Sequence, residues 1–389
     1  MDALARRRRA ATRAFVSEVA RPAGEAVSPS PPLSVVMAAY NAERYLEHAL
    51  ESILGQSFGD LELIVIDDGS TDGTSGILER TSRRDERLHI VHQPNRGVIA
   101  ALNRGCGLAR GRYIARMDAD DIALSDRFAR QIAFLESHPV VAVLGTAVDL
   151  INDKGVPIRR ARFPLHDRQI KQVLSAGANC ISHPAVMMRK DAFVAVGGYR
   201  PPFLHAEEYD LWLRTAEYYA LANLPEVLLH YRIHANQLSA RYVRQQVWSA
   251  LAAQAAARIR RRTGQEPPLA GDRVTESCLA GLAVGREQVR RELIARYLDL
   301  ARLTLEAGDH TCTERLLSEA LAVSRAKVVR QQAVSARVAR ARSQYGEGRI
   351  LDALVSVAHA MRLDPRLLGR GARHAWRLLS GARPRKTYS

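Results

Sequence analysis

Acidic side chains are concentrated in three short motifs, and the most suggestive of them is Asp118-Ala-Asp-Asp121. Three carboxylates within four residues repel one another unless a cation lies among them. Their hard oxygen atoms suit Mg²⁺ or Mn²⁺, and such an ion can bridge the two phosphates of a nucleotide diphosphate. The spacing therefore predicts a divalent metal site with Asp118 and Asp120 as ligands, and a solvated acidic turn is the alternative.

A second acidic motif, Asp67-Asp68-Gly69-Ser70, follows an apolar run of buried character. Carboxylates at such a point lose hydration unless they bind a partner. One of them can hydrogen-bond the imide N–H of a uracil ring or a ribose hydroxyl, and Gly69 lets the backbone turn sharply beneath it. The motif indicates a nucleotide contact through Asp67 or Asp68. A helix-capping loop is the alternative, because Ser70 is a good capping residue.

The third motif places Glu207 and Glu208 side by side ahead of a helical pattern. Adjacent carboxylates raise each other's proton affinity, which suits a general base. The alternative is a purely structural helix, in which Asp210 caps the helix or pairs with Arg214 one turn later.

Arg232 and His234 stand two positions apart in the sequence. On a strand, residues at this spacing face the same side of the sheet. Together they can meet a diphosphate and its metal ion, which makes both candidate site residues. The alternative for His234 is an ordinary surface or core histidine, since a lone histidine is more often one of these than a ligand.

Five short apolar runs alternate with helical patterns in the first 150 residues and must position these motifs. Such alternation is typical of α/β proteins, in which helices cover both faces of a mostly parallel central sheet. Ligands of these sheets bind beyond the carboxyl ends of the strands. The second and fourth runs lead directly into the acidic motifs, and the five runs are 33–37, 61–66, 88–91, 113–117 and 140–144.

The last part of the chain has a different composition. The 389 residues include 47% hydrophobic and 25% charged side chains, with a formal net charge of +16. Residues 240–389 hold 28 basic and 13 acidic residues, so nearly all of the excess positive charge lies there. Strand patterns vanish in this part, which is rich in Ala, Arg and Leu. Helical segments are predicted at 242–262, 284–307, 312–326, 329–345 and 349–363.

A weak internal repeat runs through the helical region with an offset of 40 residues. The residues around Ala301 and Gly308 recur around Ala341 and Gly348. A glycine between two helices in each copy favours helix-turn-helix units similar to tetratricopeptide repeats. An irregular helical bundle is the alternative, because the period is not the usual 34 residues.

Several protein classes are excluded by composition. No stretch of about 18 apolar residues is present, so a membrane-spanning helix is not expected. The four cysteines are far apart and form no Cys-x-x-Cys pair, which argues against a zinc site or a disulfide framework and fits a reducing cytoplasm.

We predict a basic N-terminus with a Pro-rich linker at 1–31, a catalytic domain at 32–239 and a basic helical region at 240–389.

Taken in order, the motifs between Pro32 and Ser239 resemble those of the family-2 glycosyltransferases, which have the A-type nucleotide-sugar fold. Each motif is short, but eight of them stand in the family's order. They are Ser34-Val-Val-Met-Ala-Ala-Tyr-Asn41, Ile66-Asp-Asp-Gly-Ser-Thr-Asp72, Asn95-Arg-Gly97, Met117-Asp-Ala-Asp-Asp121, His183-Pro184, Gly197-Gly-Tyr199, Glu207-Glu-Tyr-Asp-Leu-Trp-Leu-Arg214 and Tyr231-Arg-Ile-His234.

The resemblance implies a role for each motif. Asp118 and Asp120 would form the metal and diphosphate site, with His234 as a further metal or phosphate contact. The base would come from the Glu207-Glu208 position. The family usually has Glu-Asp there, so Glu208 stands in the base position with one extra methylene. The nucleotide-sugar donor would be contacted by Ala38, Tyr40, Asn41, Asp67, Asp68, Arg96, Asp118 and Arg232.

The resemblance implies an inverting glycosyltransferase that uses Mg²⁺ or Mn²⁺. It would move a sugar from a nucleotide diphosphate sugar, with a UDP-sugar favoured, to an acceptor hydroxyl on a glycan or lipid-linked acceptor. The Gln-x-x-Arg-Trp element of processive members is not found, which favours single addition in cell-surface or extracellular glycan synthesis. The alternative is a catalytically degenerate nucleotide-sugar-binding scaffold that acts through its helical tail.

The basic helical region has three interpretations. It can dock a cytoplasmic protein on the anionic inner face of a membrane, with 366–386 as an interfacial helix. It can bind a partner protein or dimerise. It can also carry solvated charges that bind nothing. No recognised nucleic-acid-binding fold or aromatic platform is found, so nucleic acid is not expected as a partner.

Overall fold

The computed structural model describes residues 30–363 except 236, 270, 325 and 348. Most of the predicted N-terminal region and the predicted interfacial helix at 366–386 therefore lie outside the described residues. Within the described part of the chain, no helix combines the length and the apolar character needed to cross a membrane.

The chain divides into two compact units. The first runs to Arg232 and adds Trp248–Val284, and the second comprises Ile233–Val247 and the residues from Gly285 onward. All three acidic motifs belong to the first unit. The division differs from the sequence-based boundary at 239/240, which stays a prediction.

A single sheet lies in the first unit. Its strands in the described residues are β1 (Leu33–Ala39), β2 (Leu61–Asp67), β3 (Leu88–His92), β4 (Tyr113–Arg116), β5 (Ile122–Ala123), β6 (Val141–Ile151), β7 (Pro157–Ala161), β8 (Met187–Arg189) and β9 (Ala220–Arg232). Their order across the sheet is β3-β2-β1-β4-β8-β6-β9-β5, and β7 pairs with β6.

Helices connect the strands and make up most of the later chain. Among the described residues they are α1 (Leu46–Leu54), α2 (Thr74–Ser82), α3 (Val98–Leu108), α4 (Arg127–Ser137), α5 (Asp167–Ala176), α6 (Lys190–Ala195), α7 (Glu207–Thr215), α8 (Leu238–Arg241), α9 (Val243–Thr263), α10 (Glu276–Gly281), α11 (Arg286–Glu306), α12 (His310–Val323), α13 (Lys327–Gly346) and α14 (Ile350–Leu363). Short 3₁₀ turns occur at His183–Ala185 and Pro201–Phe203.

Strands β1 to β4 are mutually parallel. All seven residues of β2 and six of the seven in β1 are buried, as expected for parallel strands that are covered on both faces. The register pairs Ala39 with Asp67 and Val36 with Arg116. The carboxyl ends of the four strands therefore meet at one edge of the sheet, which is the edge where ligands bind in α/β proteins.

The predicted fold class is confirmed: helices flank an α/β sheet, and an all-α region follows. All five predicted strands form. Four of the eight strand pairings are antiparallel, so the sheet as a whole is mixed. The antiparallel pairings involve β5, β7 and β8, which have two to five residues each. Strands this short, or as exposed as β7, contain no apolar run that could reveal them in the sequence.

Helices α11 to α14 belong to the second unit, and consecutive helices pack against one another. Between α13 and α14 the core contains Ala341, Ala353 and Val357, with Tyr345 and Met361 packed against them. Small residues at such positions let two helix backbones approach closely. The predicted helical region is thus confirmed, and its interpretation as repeats stays a prediction.

Asp210 fixes α7, the helix that begins with the third acidic motif. Its carboxylate is fully buried and accepts hydrogen bonds from Arg200 Nε and Arg214 Nε, both at 2.9 Å. Arg214 Nη2 also donates to the Gly198 carbonyl oxygen at 2.6 Å. This network ties the helix to the loop that precedes it, and it includes the Asp210–Arg214 pair that the structural alternative predicted.

We predict that Asp210→Asn lowers the free energy of unfolding by about 3–5 kcal/mol, because it leaves the buried Arg214 guanidinium without its carboxylate and removes one of the two carboxylates that pair with the partly buried Arg200. Urea denaturation measures the loss. Asp149→Asn is the matched control, since Asp149 pairs with Arg160 at the surface and such pairs contribute about 1 kcal/mol or less. Equal losses in the two variants would contradict the structural role of Asp210.

Candidate active site

The loops that follow β1 and β2 are tied to each other. Asn41 has a left-handed backbone conformation, with φ of 49°, which asparagine adopts more readily than most residues. Its side-chain Oδ1 accepts a hydrogen bond from the Thr71 backbone N–H at 2.8 Å, and its own N–H donates to Ser70 Oγ at 3.0 Å. The structure places Asn41 at the sheet edge, as predicted, and its carboxamide oxygen holds the neighbouring loop.

Asp67 is buried beneath the second loop. Its Oδ1 accepts from the Ser70 backbone N–H at 3.1 Å, and its Oδ2 accepts from the Ser75 hydroxyl at 2.6 Å. The same Oδ2 lies 2.9 Å from His92 Nδ1. Burial by itself raises the pKa of Asp67, but these hydrogen bonds outweigh it and hold the pKa below its usual value. The carboxylate is therefore ionised, and it holds the turn in place by accepting these hydrogen bonds.

Asp68 connects the second loop to the loop after β3. Its Oδ1 accepts from Gln93 Nε2 at 2.7 Å and from the Arg96 backbone N–H at 2.8 Å, and its Oδ2 accepts from the Gly97 N–H at 2.8 Å. Both oxygens thus hold the protein's own loop in place. A direct nucleotide contact by Asp67 or Asp68 stays a prediction.

Three further predicted nucleotide contacts, Tyr40, Arg96 and Ala38, lie at the same edge and are more accessible than Asp67 and Asp68. Tyr40, directly after β1, is 53% exposed. An exposed aromatic ring at a strand end offers a face on which a nucleobase can stack. The Arg96 side chain is exposed, and Ala38 is half-buried within β1. These three residues are therefore better placed than Asp67 and Asp68 to meet a ligand directly.

The loop after β4 carries the first acidic cluster. One carboxylate oxygen from each of Asp118, Asp120 and Asp121 lies within 4.8 Å of the others. Asp121 is buried, its Oδ1 accepts from the Arg232 backbone N–H at 2.8 Å, and its Oδ2 has no hydrogen-bond partner among the described residues. Burial, followed by the charges of Asp120 and Asp118, raises the pKa of Asp121 well above its usual value. A cation here would reduce the repulsion among the three carboxylates and would give Asp121 Oδ2 a partner. The residues therefore fit Mg²⁺ or Mn²⁺.

Arg232 packs against this loop, and its guanidinium holds backbone carbonyl oxygens. Nε donates to the Asp120 carbonyl oxygen at 2.8 Å and Nη1 donates to that of Asn152 at 3.1 Å. The guanidinium carbon also lies 4.5 Å from the centre of the Tyr45 ring. A contact between the Arg232 side chain and a diphosphate stays a prediction. His234 belongs to the second unit, and its role as a ligand also stays a prediction.

Glu207, Glu208 and His183 form a second cluster, with one ligand atom of each within 4.8 Å of the others. Glu208 is half-buried, and its Oε1 accepts from Asn179 Nδ2 at 3.1 Å. His183 Nε2 lies 2.8 Å from the Tyr199 hydroxyl oxygen. Burial, followed by a neighbouring arginine charge, holds the pKa of His183 well below its usual value. The imidazole is therefore neutral at pH 7.

The two adjacent glutamates differ in burial, and the pKa of Glu207 is raised. Glu207 is 5% exposed, and its Oε2 has no hydrogen-bond partner in the described part of the chain. Burial, followed by the charge of Glu208, raises the pKa of Glu207 to about 8. Glu207 is therefore mainly the neutral acid at pH 7. Glu208 is the more accessible of the two as an acceptor for a substrate proton.

A buried arginine stands between the two clusters. Arg116 ends β4, its side chain is 8% exposed, and its Nη2 pairs with Asp118 Oδ1. Burial raises the pKa of Glu207 and of Asp121, and the positive charge of Arg116 lowers both pKa values in part. Both clusters therefore lie within electrostatic reach of one cation, and the structure brings Asp118 and Asp120 near the two glutamates. Their roles as metal ligands and as base stay predictions.

Comparison with known proteins agrees with this geometry. The family model described as glycosyl transferase family 2 matches residues 34–197. An uncharacterized glycosyltransferase from Haemophilus influenzae is 34% identical over 225 residues, which are 56% of this chain and 70% of that protein. The chain belongs to glycosyl transferase family 2.

Two other proteins extend this similarity. The Escherichia coli O-antigen biosynthesis glycosyltransferase WbnJ is 34% identical over 206 residues, which are 52% of this chain and 80% of that protein. The crystal structure of S. aureus TarS 1–349 in complex with UDP-GlcNAc matches with a TM-score of 0.50 at 18% identity, over 85% of this chain and 91% of that one. The resemblance predicted from the eight motifs is thus confirmed for the family and for the fold.

Some site residues of this glycosyltransferase were not predicted from its sequence. Arg116 could have been found, because a charged residue inside the otherwise apolar strand Tyr113–Arg116 is itself a signal. Asn179 could not, because it lies 29 positions before Glu208 in a segment without a recognisable motif. His183 and Tyr199 were part of the family motifs without an assigned role, and the structure places His183 in the second cluster and Tyr199 next to it.

The protonation of Glu207 predicts a pH-dependent stability. The carboxyl keeps its proton up to about pH 8 in the folded protein but only to about 4.5 when unperturbed. The wild-type protein therefore loses stability as the pH rises between these values. Glu207→Gln resembles the protonated acid, so its stability should increase relative to wild type from about pH 5 to pH 8 in urea unfolding. The control is Glu226→Gln at an exposed position of β9, and parallel curves for wild type and Glu207→Gln would refute the prediction.

Proposed function

We propose that this family-2 glycosyltransferase moves a single sugar from a nucleotide diphosphate sugar to an acceptor hydroxyl, with inversion at the anomeric carbon. The observation that supports this best is the presence of two acidic clusters within electrostatic reach of Arg116. One cluster has the oxygen atoms that suit a divalent cation, and the other offers a proton acceptor. An inverting transfer needs both, because a diphosphate must leave and a hydroxyl must lose its proton.

The proposed donor is a UDP-sugar. The exposed ring of Tyr40 offers a stacking face, and the loop held by Asp67 and Asp68 offers polar groups beside it. The S. aureus TarS structure of similar fold contains UDP-GlcNAc, which makes UDP the first nucleotide to test. The E. coli relative is named for O-antigen biosynthesis, which supports a cell-surface polysaccharide as the product class.

Asp118 and Asp120 are proposed to hold Mg²⁺ or Mn²⁺. When bound, the ion would supply positive charge that stabilises the departing diphosphate. Asp121 lies beneath them and anchors their loop through the Arg232 backbone N–H. This anchor fixes the loop between β4 and β5, so the two ligands stay close together.

Glu208 is proposed as the catalytic base. It receives the proton of the acceptor hydroxyl while that oxygen bonds to the anomeric carbon. The bond from the anomeric carbon to the donor's diphosphate oxygen breaks at the same time, and its electron pair leaves with the diphosphate. Asn179 donates to Glu208 Oε1 and so orients a side chain that is one methylene longer than the aspartate usual in this family.

The acceptor is proposed to be a glycan or a lipid-linked glycan at the inner face of the membrane. The basic region at 240–389 is proposed to bring the enzyme there, by binding either the anionic membrane surface or a partner protein. Cosedimentation of the full chain with vesicles of anionic lipid distinguishes these two cases, since only direct surface binding needs no second protein.

We predict that UDP and Mn²⁺ together stabilise the full chain in a thermal-shift experiment, more than GDP, dTDP or CDP with Mn²⁺. A ligand at about 100 times its Kd adds about 2.7 kcal/mol, which such an experiment detects. Asp120→Ala should abolish the metal-dependent part of the shift. Asp60→Ala, at an exposed position before β2, is the control. A folded wild-type protein that responds to no nucleotide would remove the donor assignment.

The base assignment predicts different rates for the two glutamine variants. With the donor identified and water as acceptor, Glu208→Gln should slow donor hydrolysis by about 10²–10⁴-fold, which is the usual contribution of a general base. Glu207→Gln should stay within about tenfold of wild type, because the neutral acid and the amide have the same shape. Full turnover by Glu208→Gln would contradict the assignment. Nucleotide binding without any turnover in the wild type would instead favour the non-catalytic scaffold.

A further inference from the structure

Arg116 is held rigidly at the centre of the site. It is the last residue of β4, its backbone N–H donates to the Val186 carbonyl oxygen at 3.1 Å, and its own carbonyl oxygen accepts from Arg127 Nη2 at 2.8 Å. The side chain is 8% exposed, against 33% for its ion-pair partner Asp118. A guanidinium in this position cannot move into bulk water without disturbing the end of β4.

The hydrogen bonding of this guanidinium is incomplete. Nη2 pairs with Asp118, but Nε and Nη1 are buried and have no hydrogen-bond partner among the described residues. Leaving buried donors unpaired is unfavourable, above all on a charged group. The ion pair with Asp118 therefore uses only part of the hydrogen-bonding capacity of this guanidinium.

The surroundings of Arg116 are acidic on both sides. Asp118 and Asp121 belong to the cluster proposed to hold the divalent ion, and Glu207 belongs to the cluster with the base. When an ion binds at Asp118, it shares that carboxylate with the arginine, and two positive charges are then close together. A diphosphate has several negative charges and can compensate both.

We propose that Arg116 is a second, built-in cation of the donor site, which neutralises Asp118 before the donor arrives and attracts the diphosphate once it binds. This proposal rests on the proposed function. It implies that Arg116 disfavours the divalent ion alone and favours the nucleotide diphosphate. Ion and nucleotide would therefore bind with positive coupling, each improving the affinity for the other.

The experiment compares the binding of each ligand to wild type and to Arg116→Met in the full chain. Free Mn²⁺ is counted by electron paramagnetic resonance, and UDP is titrated calorimetrically at saturating Mn²⁺. Loss of one charge a few Å away at an effective dielectric of about 20 should change each affinity by about tenfold or more. We expect Mn²⁺ alone to bind tighter in Arg116→Met and UDP to bind more weakly. Arg84→Met is the matched control, because Arg84 is exposed before β3, at the opposite edge of the sheet.

Opposite shifts of the two affinities support the proposal, since damage to the fold would weaken both ligands together. Weaker binding of both, or no change in either, would overturn it. If Arg116→Met does not fold, Arg116→Lys decides the question. A lysine keeps the charge but lacks the planar fork, so both affinities should stay within about threefold of wild type, and a loss of both would refute a role of charge. If the wild type itself binds neither Mn²⁺ nor UDP, the proposed function fails instead.

Discussion

Negative charge at the carboxyl edge of β1, β2 and β4 is the constraint on which the rest of the first unit depends. Parallel strands end there together, so the acids that follow them are crowded into one region with little water, and each needs compensation. Asp67 and Asp68 obtain hydrogen-bond donors from neighbouring loops. Asp118 obtains an arginine, whereas Glu207 keeps a proton.

The acidic residues fall into two kinds, according to whether hydrogen bonds fully compensate the loss of water around the carboxylate. Acids with complete sets of hydrogen bonds, such as Asp68, build the loops and leave the ligand surface to their neighbours, among them the exposed Tyr40. Acids with incomplete compensation, such as Asp121 and Glu207, lie where a substrate or an ion can change the balance of charge. The charge of Arg116 acts on both of these acids, and two nitrogens of its own guanidinium have no hydrogen-bond partner among the described residues, so Arg116 is proposed to take part in donor binding.

Sequence patterns predict the parts of this molecule that rest on local regularities. The wholly buried strand β2 follows from its continuous apolar run, and the long helices after residue 240 follow from a composition rich in Ala, Arg and Leu without strand patterns. Asp118 with Asp120 follows from like charges at close spacing. Strand β8 has three residues and depends on distant pairing partners, so no local pattern reveals it. The hydrogen bond between Asn179 and Glu208, the internal satisfaction of Asp68 and the burial of Arg116 arise only when segments far apart in sequence meet.

The central claim is that the acidic edge of the sheet binds a nucleotide diphosphate through a divalent ion. A crystal structure of the full chain with UDP and Mn²⁺, with anomalous data at the manganese edge, tests it most directly. We expect an anomalous peak at coordination distance from Asp118 and Asp120, with the diphosphate next to the ion and the uracil ring against Tyr40. A manganese peak away from these carboxylates, or UDP bound at another edge of the sheet, would contradict it.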